Sequence, residues 1–256
     1  ISRLKHKKYR DQTGRYILEG LHLVEEALSS GQQPVCLLVA KKRREQYQAF
    51  AAQYPNLSWY AVDEGIMKLI CDTENPQGIA AVMTKPAYSL DQAAKPGGLV
   101  VVLDQLSDPG NVGTIIRTCW AFAVDAVLMT AGCVDPFNQK VVRSAMGGTL
   151  YVPLLEGIQI SQLRELKARG YRLCGAAARG AVSVYEADFK GSLAVVIGSE
   201  ARGLSPEVAS LCDEMVAIPC RAGVDSLNAA VACGIILSKS WNSRFYREPF
   251  VLPGLV

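Results

Sequence analysis

The fold that we expect for this chain rests first on the stretch Val195-Val196-Ile197-Gly198-Ser199-Glu200-Ala201-Arg202-Gly203-Leu204-Ser205-Pro206. Its apolar beginning is typical of a strand that is buried on both faces of a sheet. The strand runs directly into a turn with two glycines and a carboxylate, and Ser205-Pro206 then predicts the cap and first residue of a helix. Ligands bind outside the carboxyl ends of the strands in open α/β sheets, so this junction is a candidate site.

Short apolar runs alternate with amphipathic stretches along the rest of the chain, which predicts an α/β fold with a parallel sheet covered on both faces. The expected strands are 35–40, 59–62, 79–83, 99–103, 126–129, 150–155, 171–176, 193–197 and 215–218. The expected helices are 20–30, 43–53, 112–122, 139–146, 161–169 and 226–241. Residues 84–98 are rich in proline and glycine and predict a linker, so we expect two domains, 1–95 and 96–256.

The composition of the chain excludes several classes of protein. With 256 residues, 50% of them hydrophobic and 20% charged, it is neither disordered nor collagen-like. It contains no apolar run of the ~20 residues that a membrane span needs, and its first residues do not show the pattern of a signal peptide. Its eight cysteines and two histidines lack the spacing of a metal site. We therefore expect a soluble, cytoplasmic protein without disulfides or a metal.

Two basic runs lie in the first 44 residues, although the net charge is only +3. Local positive fields of this kind attract RNA or DNA, and the alternative is that both runs are ordinary solvated surfaces. The candidate contacts are Arg3, Lys5, Lys7, Lys8, Arg10, Arg15, Lys41, Lys42, Arg43 and Arg44. Tyr9, Tyr16, Tyr47 and Trp59 are candidates for stacking on bases, or else belong to the core.

Two further junctions carry polar residues after a predicted strand. In the first, a Pro-Gly turn leads to Asn111, which we expect to cap a helix that carries Arg117 in its second turn. The spacing of its glycines is not that of a dinucleotide-binding loop, which counts against a nicotinamide-dependent dehydrogenase. In the second, a strand stops at Pro219, and a helix is expected from about Ser226, with Asp225 or Ser226 as its cap.

The three junctions together resemble the three motifs of the SpoU-type RNA ribose methyltransferases of the SPOUT superfamily. The matching elements are N-x-G-x-x-x-R at 111–117, G-x-E-x-x-G-L-S at 198–205, and Ile218-Pro219 followed by Ser226-Leu227-Asn228. The resemblance covers roughly residues 99–241. The first 95 residues resemble the substrate-binding domain that precedes the catalytic domain in ribosomal RNA members.

This resemblance implies transfer of a methyl group from S-adenosyl-L-methionine to a ribose 2′-hydroxyl, with large-subunit ribosomal RNA favoured as substrate. It implies a C-terminal methyltransferase domain with a trefoil knot and a smaller, ribosomal-protein-like α/β domain before it. It also implies a homodimer. A transfer RNA methyltransferase and a non-catalytic RNA-binding or ribosome assembly module are the alternatives.

The resemblance also assigns roles to residues. Arg117 has the central catalytic role, which we interpret as stabilising the developing alkoxide and positioning an RNA phosphate. The residues implied to orient Arg117, the cofactor and the ribose are Asn111, Glu200, Ser226 and Asn228. The residues implied to bind the cofactor are Gly198, Ile218, Leu227, Thr130, Ala131, Gly132, Ser199 and Pro219.

The sequence departs from the usual motifs of the family at three positions. Ser199 stands where asparagine is common, Cys220 where methionine is common, and Asp225 where glutamate is common. Ser199 and Asp225 keep a polar group, and Cys220 stays soft and apolar. We therefore expect an altered pocket shape and a retained activity.

Overall fold

The computed structural model describes residues 1–178 and 182–245. Their helices are α1 (Lys7–Thr13), α2 (Leu21–Ser29), α3 (Gln48–Ala52), α4 (Glu64–Ile70), α5 (Leu90–Ala93), α6 (Pro109–Ala121), α7 (Gln139–Ser144), α8 (Gly148–Tyr151), α9 (Ile160–Ala168), α10 (Pro206–Ala209) and α11 (Ala229–Phe245). Their strands are β1 (Arg15–Glu19), β2 (Cys36–Ala40), β3 (Trp59–Val62), β4 (Ile79–Thr84), β5 (Leu99–Asp104), β6 (Ala126–Thr130), β7 (Leu154–Ile158), β8 (Arg172–Ala177), β9 (Val182–Ser183), β10 (Leu193–Gly198) and β11 (Glu214–Ala217).

The chain divides into two compact units, each built from several segments. The first comprises Ile1–Tyr88, Asp108–Arg117 and Val134–Leu154, and the second comprises Ser89–Ser107, Thr118–Cys133 and the residues from Leu155 onward. Neither unit is one continuous stretch of sequence, so no single boundary in the chain separates them. The sequence-based domains 1–95 and 96–256 stay a prediction about which segments fold on their own, and residues 179–181 and 246–256 lie outside the described residues.

The first unit is built on a four-stranded sheet in the order β1-β4-β2-β3. β4 pairs antiparallel with β1 and β2, while β2 pairs parallel with β3. Its hydrophobic core includes Ile17, Leu38, Met67 and Val82, all at most 2% exposed. Strand β1 is not among the strands predicted from the sequence, because Arg15 belongs to a basic run and only three consecutive residues of the strand are buried.

Helix α6 approaches α7 closely within the first unit, and Gly113 makes this approach possible. A Cβ atom at Gly113 would collide with Ser144 and would lie 2.6 Å from the carbonyl oxygen of Val141. The helix begins at Pro109, and the side chain of Asp108 accepts a hydrogen bond from the backbone N–H of Asn111 at 2.7 Å. The prediction that Asn111 is the N-cap is therefore wrong, since Asp108 supplies the capping oxygen.

The second unit is built on a seven-stranded parallel sheet in the order β7-β6-β5-β10-β8-β11-β9. The central strands β5 and β10 are buried along their whole length and pair in parallel from Leu193↔Leu99 to Gly198↔Asp104. The predicted α/β fold with a parallel sheet is confirmed. The trefoil knot stays a prediction.

Several predicted boundaries shift in the structure. The strand expected at 150–155 is wrong, because the chain continues as α8 to Tyr151 and the strand begins only at Leu154. The helix expected at 43–53 is reduced to α3, five residues long, which follows a short 3-10 turn at Lys41–Arg43. The Ser205 side chain caps α10 at Val208 N with Pro206 in the first turn, as predicted.

All eight cysteines are free thiols, and five of them are buried. Among residues 1–178 and 182–245, no group of three or more His, Cys, Asp and Glu side chains could hold a metal ion. Within the same ranges, no helix combines the length and apolar character required to cross a membrane.

Candidate active site

A cavity of about 180 Å³ lies at the carboxyl ends of β10 and β11 in the second unit. The polypeptide segments that line it are 197–203 at the end of β10, 216–229, which leads into α11, and 176–178 at the end of β8, together with Ala232 and Ile236 of α11. The predicted site residues that line this cavity are Gly198, Ser199, Glu200, Ile218, Ser226 and Leu227. The second and third motifs therefore share one cavity.

The turn after β10 folds back on itself, which explains the need for glycine at its start. Ser199 and Gly203 exchange backbone hydrogen bonds at 3.0 and 2.7 Å. A Cβ atom at Gly198 would collide with the carbonyl group of Gly203 and lie 2.5 Å from the backbone nitrogen of Leu204. Gly198 is expected from the sequence to let a ligand approach the backbone, but the group that lies against it is the backbone of this turn.

Glu200 and Asn228 connect the second motif to the third. The side-chain amide of Asn228 donates a hydrogen bond to Glu200 Oε1 at 2.6 Å, and the backbone N–H of Ala229 donates to the same oxygen at 3.3 Å. Asn228 Oδ1 accepts hydrogen bonds from Ala230 and Val231. The helix therefore begins at Ala229 with Asn228 as its cap, and the predicted start near Ser226 with a cap at Asp225 or Ser226 is wrong.

Asp104 is an organising residue of this end of the sheet, and the sequence analysis did not single it out. It is only 1% exposed, at the last position of β5. Its carboxylate accepts hydrogen bonds from the hydroxyl of Thr130 at 2.9 Å and from the backbone N–H of Ser205 at 2.6 Å. Asp104 thus ties the end of β6 to the loop after β10. A carboxylate that ends a run of five apolar residues is the signal that could have revealed it.

The other residues assigned to cofactor binding lie outside this cavity. The Thr130 hydroxyl donates a hydrogen bond to the Asp104 carboxylate and accepts one from the backbone N–H of Gln105. Gly132, two residues later, has a φ of +94°. None of Thr130, Ala131 and Gly132 lines the cavity, and Pro219 lines a neighbouring one. Beside this loop, burial raises the pKa of the Cys133 thiol, which donates to the carbonyl of Leu103.

The polar residues of the first motif, Asn111 and Arg117, lie on α6 in the first compact unit. Asn111 occupies the first turn of this helix, and Arg117 is exposed to solvent. A Cβ atom at Gly148 would lie 3.2 Å from Cα of Arg117. Because Gly148 has no Cβ, helix α8, which it begins, packs closely against the α6 backbone that carries the arginine. The position of the Arg117 backbone is therefore set by tight packing.

Comparison with known proteins shows to which family the chain belongs. Residues 98–238 match the model of the SpoU rRNA Methylase family, and residues 1–81 match that of an MRM3-like substrate binding domain. The chain belongs to the SpoU rRNA methylase family. The resemblance inferred from the three motifs is confirmed.

Its relatives include a named ribosomal RNA methyltransferase and two solved structures with AdoMet bound. The 23S rRNA (guanosine(2553)-2′-O)-methyltransferase RlmP of Bacillus subtilis is 34% identical over 235 residues, which cover 92% of each chain. The AdoMet complex of the SpoU methyltransferase AviRb from Streptomyces viridochromogenes superimposes with a TM-score of 0.87 at 25% identity, covering 94% of this chain and 95% of that one. An AdoMet-bound rRNA methyltransferase from Sinorhizobium meliloti gives a TM-score of 0.81 at 31% identity and covers 93% and 91%.

In this SpoU family member, one of the basic residues assigned to RNA contact has another role. Arg10 is only 2% exposed, and its guanidinium forms an ion pair with buried Asp135 at 2.5 Å. It also donates to the carbonyl oxygens of Leu4 and Lys5. The prediction that Arg10 contacts RNA is wrong, because its donors are used inside the first unit.

The other basic candidates lie at least partly in solvent. Lys5 is half-buried, and the exposed members are Arg3, Lys7, Lys8, Arg15, Lys41, Lys42, Arg43 and Arg44. Lys41 pairs with Asp63 at 2.8 Å and Lys7 with Asp11 at 3.5 Å, so these two charges are partly compensated. Their assignment to RNA stays a prediction.

Two of the four aromatic candidates belong to the core. Tyr16 is fully buried against Phe137, with ring centroids 4.8 Å apart, and Tyr47 is 4% exposed. The prediction that a base stacks on Tyr16 is therefore wrong. Burial also leaves little of the Tyr47 ring for a base to contact. Tyr9 and Trp59 are half-buried.

Proposed function

We propose that this protein transfers a methyl group from S-adenosyl-L-methionine to a ribose 2′-hydroxyl of large-subunit ribosomal RNA. The observation that carries the proposal is the cavity shared by the second and third motifs, in a chain of the SpoU family. The relative from Bacillus subtilis is named for 2′-O-methylation of a guanosine in 23S rRNA. Two solved relatives of high structural similarity are described with AdoMet bound.

The residues around the cavity have the chemical character that such a cofactor requires. Ile218, Leu227 and Ile236 supply apolar walls suited to an adenine ring, while Ser199 and Ser226 supply hydroxyl groups at the same cavity. Pockets for nucleoside cofactors combine apolar walls with a few polar groups that fix orientation. We assign Gly198, Ile218 and Leu227 to the adenosine part, with Ser199 and Pro219 beside them. Thr130, Ala131 and Gly132 do not line this cavity, and their assignment to the cofactor rests on the family resemblance alone.

The chemistry divides between cofactor and protein. When bound, the cofactor supplies an electrophilic methyl group on a sulfonium. A ribose hydroxyl is a poor nucleophile, so the protein has to align it and stabilise the negative charge that develops as its proton is lost. We assign this electrostatic role to Arg117, whose guanidinium stays protonated and can also hold an RNA phosphate. Asn111, Glu200, Ser226 and Asn228 are assigned to orientation of these groups.

The first unit supports the assignment to ribosomal RNA. Residues 1–81 match a substrate binding domain, and the exposed basic residues from Arg3 to Arg44 provide a positive surface for a polyanion. We assign Arg3, Lys5, Lys7, Lys8, Arg15, Lys41, Lys42, Arg43 and Arg44 to RNA contact. A homodimer that acts in the cytoplasm completes the proposal, and light scattering on the purified chain measures the dimer directly.

The experiment that tests the function supplies labelled S-adenosyl-L-methionine with separated large-subunit ribosomal, small-subunit ribosomal and transfer RNA. Label in large-subunit RNA alone is the expected result. Label in transfer RNA alone supports the alternative of a transfer RNA methyltransferase. If no RNA pool and no ribosomal subunit precursor accepts label, while RNA still binds, the protein is a non-catalytic RNA-binding module.

A further inference from the structure

A second cavity, of about 570 Å³, lies within the first compact unit. It is bordered by the end of β2, the basic segment that follows β2, helix α4 and the loop at 75–78 before β4. Its volume falls within the range of about 300–1,000 Å³ that is common for ligand pockets. It shares no lining residue with the active-site cavity, so the mechanism proposed above makes no use of it.

The charged side chains of this pocket favour an anion. Lys42, Arg43 and Lys68 line it together with a single carboxylate, Glu64. The ammonium groups of Lys42 and Lys68 form no ion pair within the described parts of the chain. Lys41, in contrast, lies outside the lining and is held by Asp63. The pocket therefore keeps an excess of uncompensated positive charge.

The apolar part of the pocket is rigid. Tyr47 and Met67 line it and are 4% and 2% exposed. The Tyr47 hydroxyl donates a hydrogen bond to the carbonyl of Gln77 at 2.9 Å, which fixes the ring. Burial raises the pKa of Tyr47, so its hydroxyl stays protonated and keeps this bond. Tyr47 and Met67 therefore form a fixed floor, and the apolar surface that is open to a ligand comes from Leu21 and Pro76, which also line the pocket and are half-buried.

Amide groups border the same pocket. Asn75 lines it, is exposed, and its side chain forms no hydrogen bond with any residue that the structure describes. A side-chain amide offers both donors and an acceptor, which match the edge of an unpaired base. The Gln77 side chain, in contrast, is already used, because its oxygen accepts from the backbone N–H of Leu21 at 2.9 Å.

We propose that this pocket binds one unpaired nucleotide of the RNA substrate, at a site separate from the ribose that is methylated. The base lies against Leu21 and Pro76 with its edge at Asn75. The adjoining phosphates lie at Lys42 and Lys68. This inference rests on the proposed function, since it assumes that RNA is the substrate. It gives the first unit a means to select an unpaired loop, which a purely electrostatic surface does not provide.

The test measures the affinity of the whole protein for labelled single-stranded RNA 12-mers and for a 12-base-pair RNA duplex over a series of salt concentrations. Lys42→Ala/Lys68→Ala is compared with the charge-matched control Lys95→Ala/Lys190→Ala, whose exposed lysines precede the amino ends of β5 and β10. The pocket variant is expected to lose about tenfold in single-strand affinity, with a salt slope lower by about 0.7 for each lost phosphate contact. The control and the duplex are expected to change less than threefold.

Asn75→Leu separates recognition of a base from attraction of a phosphate. We expect it to change the order of affinity among oligo-A, oligo-C and oligo-U while leaving the salt slope unchanged. The inference is overturned if this order stays the same, or if the pocket variant loses single-strand and duplex affinity equally. If wild-type protein binds none of these RNAs but transfers methyl to a ribosomal RNA pool, only this inference fails. Failure of transfer with intact, Asn75-dependent binding overturns the proposed catalysis alone.

Discussion

The amide nitrogen of Asn228 lies 2.6 Å from Glu200 Oε1, although 28 residues separate the two along the chain. The same carboxylate oxygen accepts from the backbone of Ala229, the first residue of α11. The turn after β10 and the beginning of α11 are therefore held together by one side chain. Because residues from both segments line the same cavity, this hydrogen bond helps to fix the shape of the proposed cofactor site.

Replacing Glu200 with alanine should lower affinity for S-adenosyl-L-methionine by about tenfold, the scale expected for loss of a hydrogen bond to a charged group. Glu200→Gln keeps an acceptor oxygen and should lose less. Isothermal titration measures both, with Glu207→Ala on α10 as a control that removes an exposed carboxylate elsewhere. Equal affinity of Glu200→Ala and wild type would contradict this role.

Gly198→Ala should raise the dissociation constant of the cofactor by tenfold or more. The added Cβ collides with the Gly203 carbonyl, so the turn from Ser199 to Gly203 has to shift away from β10. Gly65→Ala is the matched control, because a Cβ at Gly65 meets nothing within 4 Å and this residue lies in a helix. A folded Gly198→Ala protein with unchanged cofactor affinity would show that the turn does not shape the site.

Arg10→Ala should destabilise the protein by about 3–5 kcal/mol, because it leaves the buried Asp135 carboxylate without its partner. Urea unfolding measures this loss. Arg15→Ala is the control from the same basic run, and since Arg15 is exposed we expect its effect on stability to be within about 0.5 kcal/mol. RNA affinity should fall for Arg15→Ala and stay near the wild-type value for folded Arg10→Ala. Equal stability of the two variants would contradict the structural role of Arg10.

Arg117→Ala should reduce the rate of methyl transfer by about 10²–10³-fold, which is typical for loss of a group that stabilises developing charge. Arg117→Lys keeps the charge but lacks the planar fork, so we expect only partial recovery. Affinity for S-adenosyl-L-methionine should stay unchanged in both. Single-turnover kinetics test this, with Arg164→Ala on the exposed side of α9 as the control. A near-normal rate in Arg117→Ala would remove this residue from the mechanism.

Local sequence signals predicted the strands and caps that depend mainly on neighbouring residues in the chain. The buried strands β5 and β10 follow from continuous apolar runs, and the cap at Ser205 follows from the adjacent proline. Arg10 could not be distinguished from its basic neighbours, because its partner Asp135 lies 125 residues away. The start of α11 was misplaced for the same reason, since the hydrogen bonds to Asn228 and Glu200 depend on the tertiary structure.

The order of the motifs nominated the candidate site residues, but it did not predict their geometry. Asp104 appeared in the sequence only as the end of an apolar run, and its two hydrogen-bond partners come from other strands and loops. Gly113 lies in the first motif, yet its observed role is to let α6 approach Ser144 and Val141. Close approach between helices leaves no mark in a single sequence beyond the glycine itself.

The measurement that tests the central claim most directly is alkaline hydrolysis of large-subunit ribosomal RNA methylated by this protein with labelled S-adenosyl-L-methionine. Alkaline cleavage of an RNA strand requires a free 2′-hydroxyl, so a 2′-O-methylated ribose leaves its neighbouring phosphodiester intact. We predict that the label emerges in a dinucleotide. Label in a mononucleotide would place the methyl group on a base and would contradict the account.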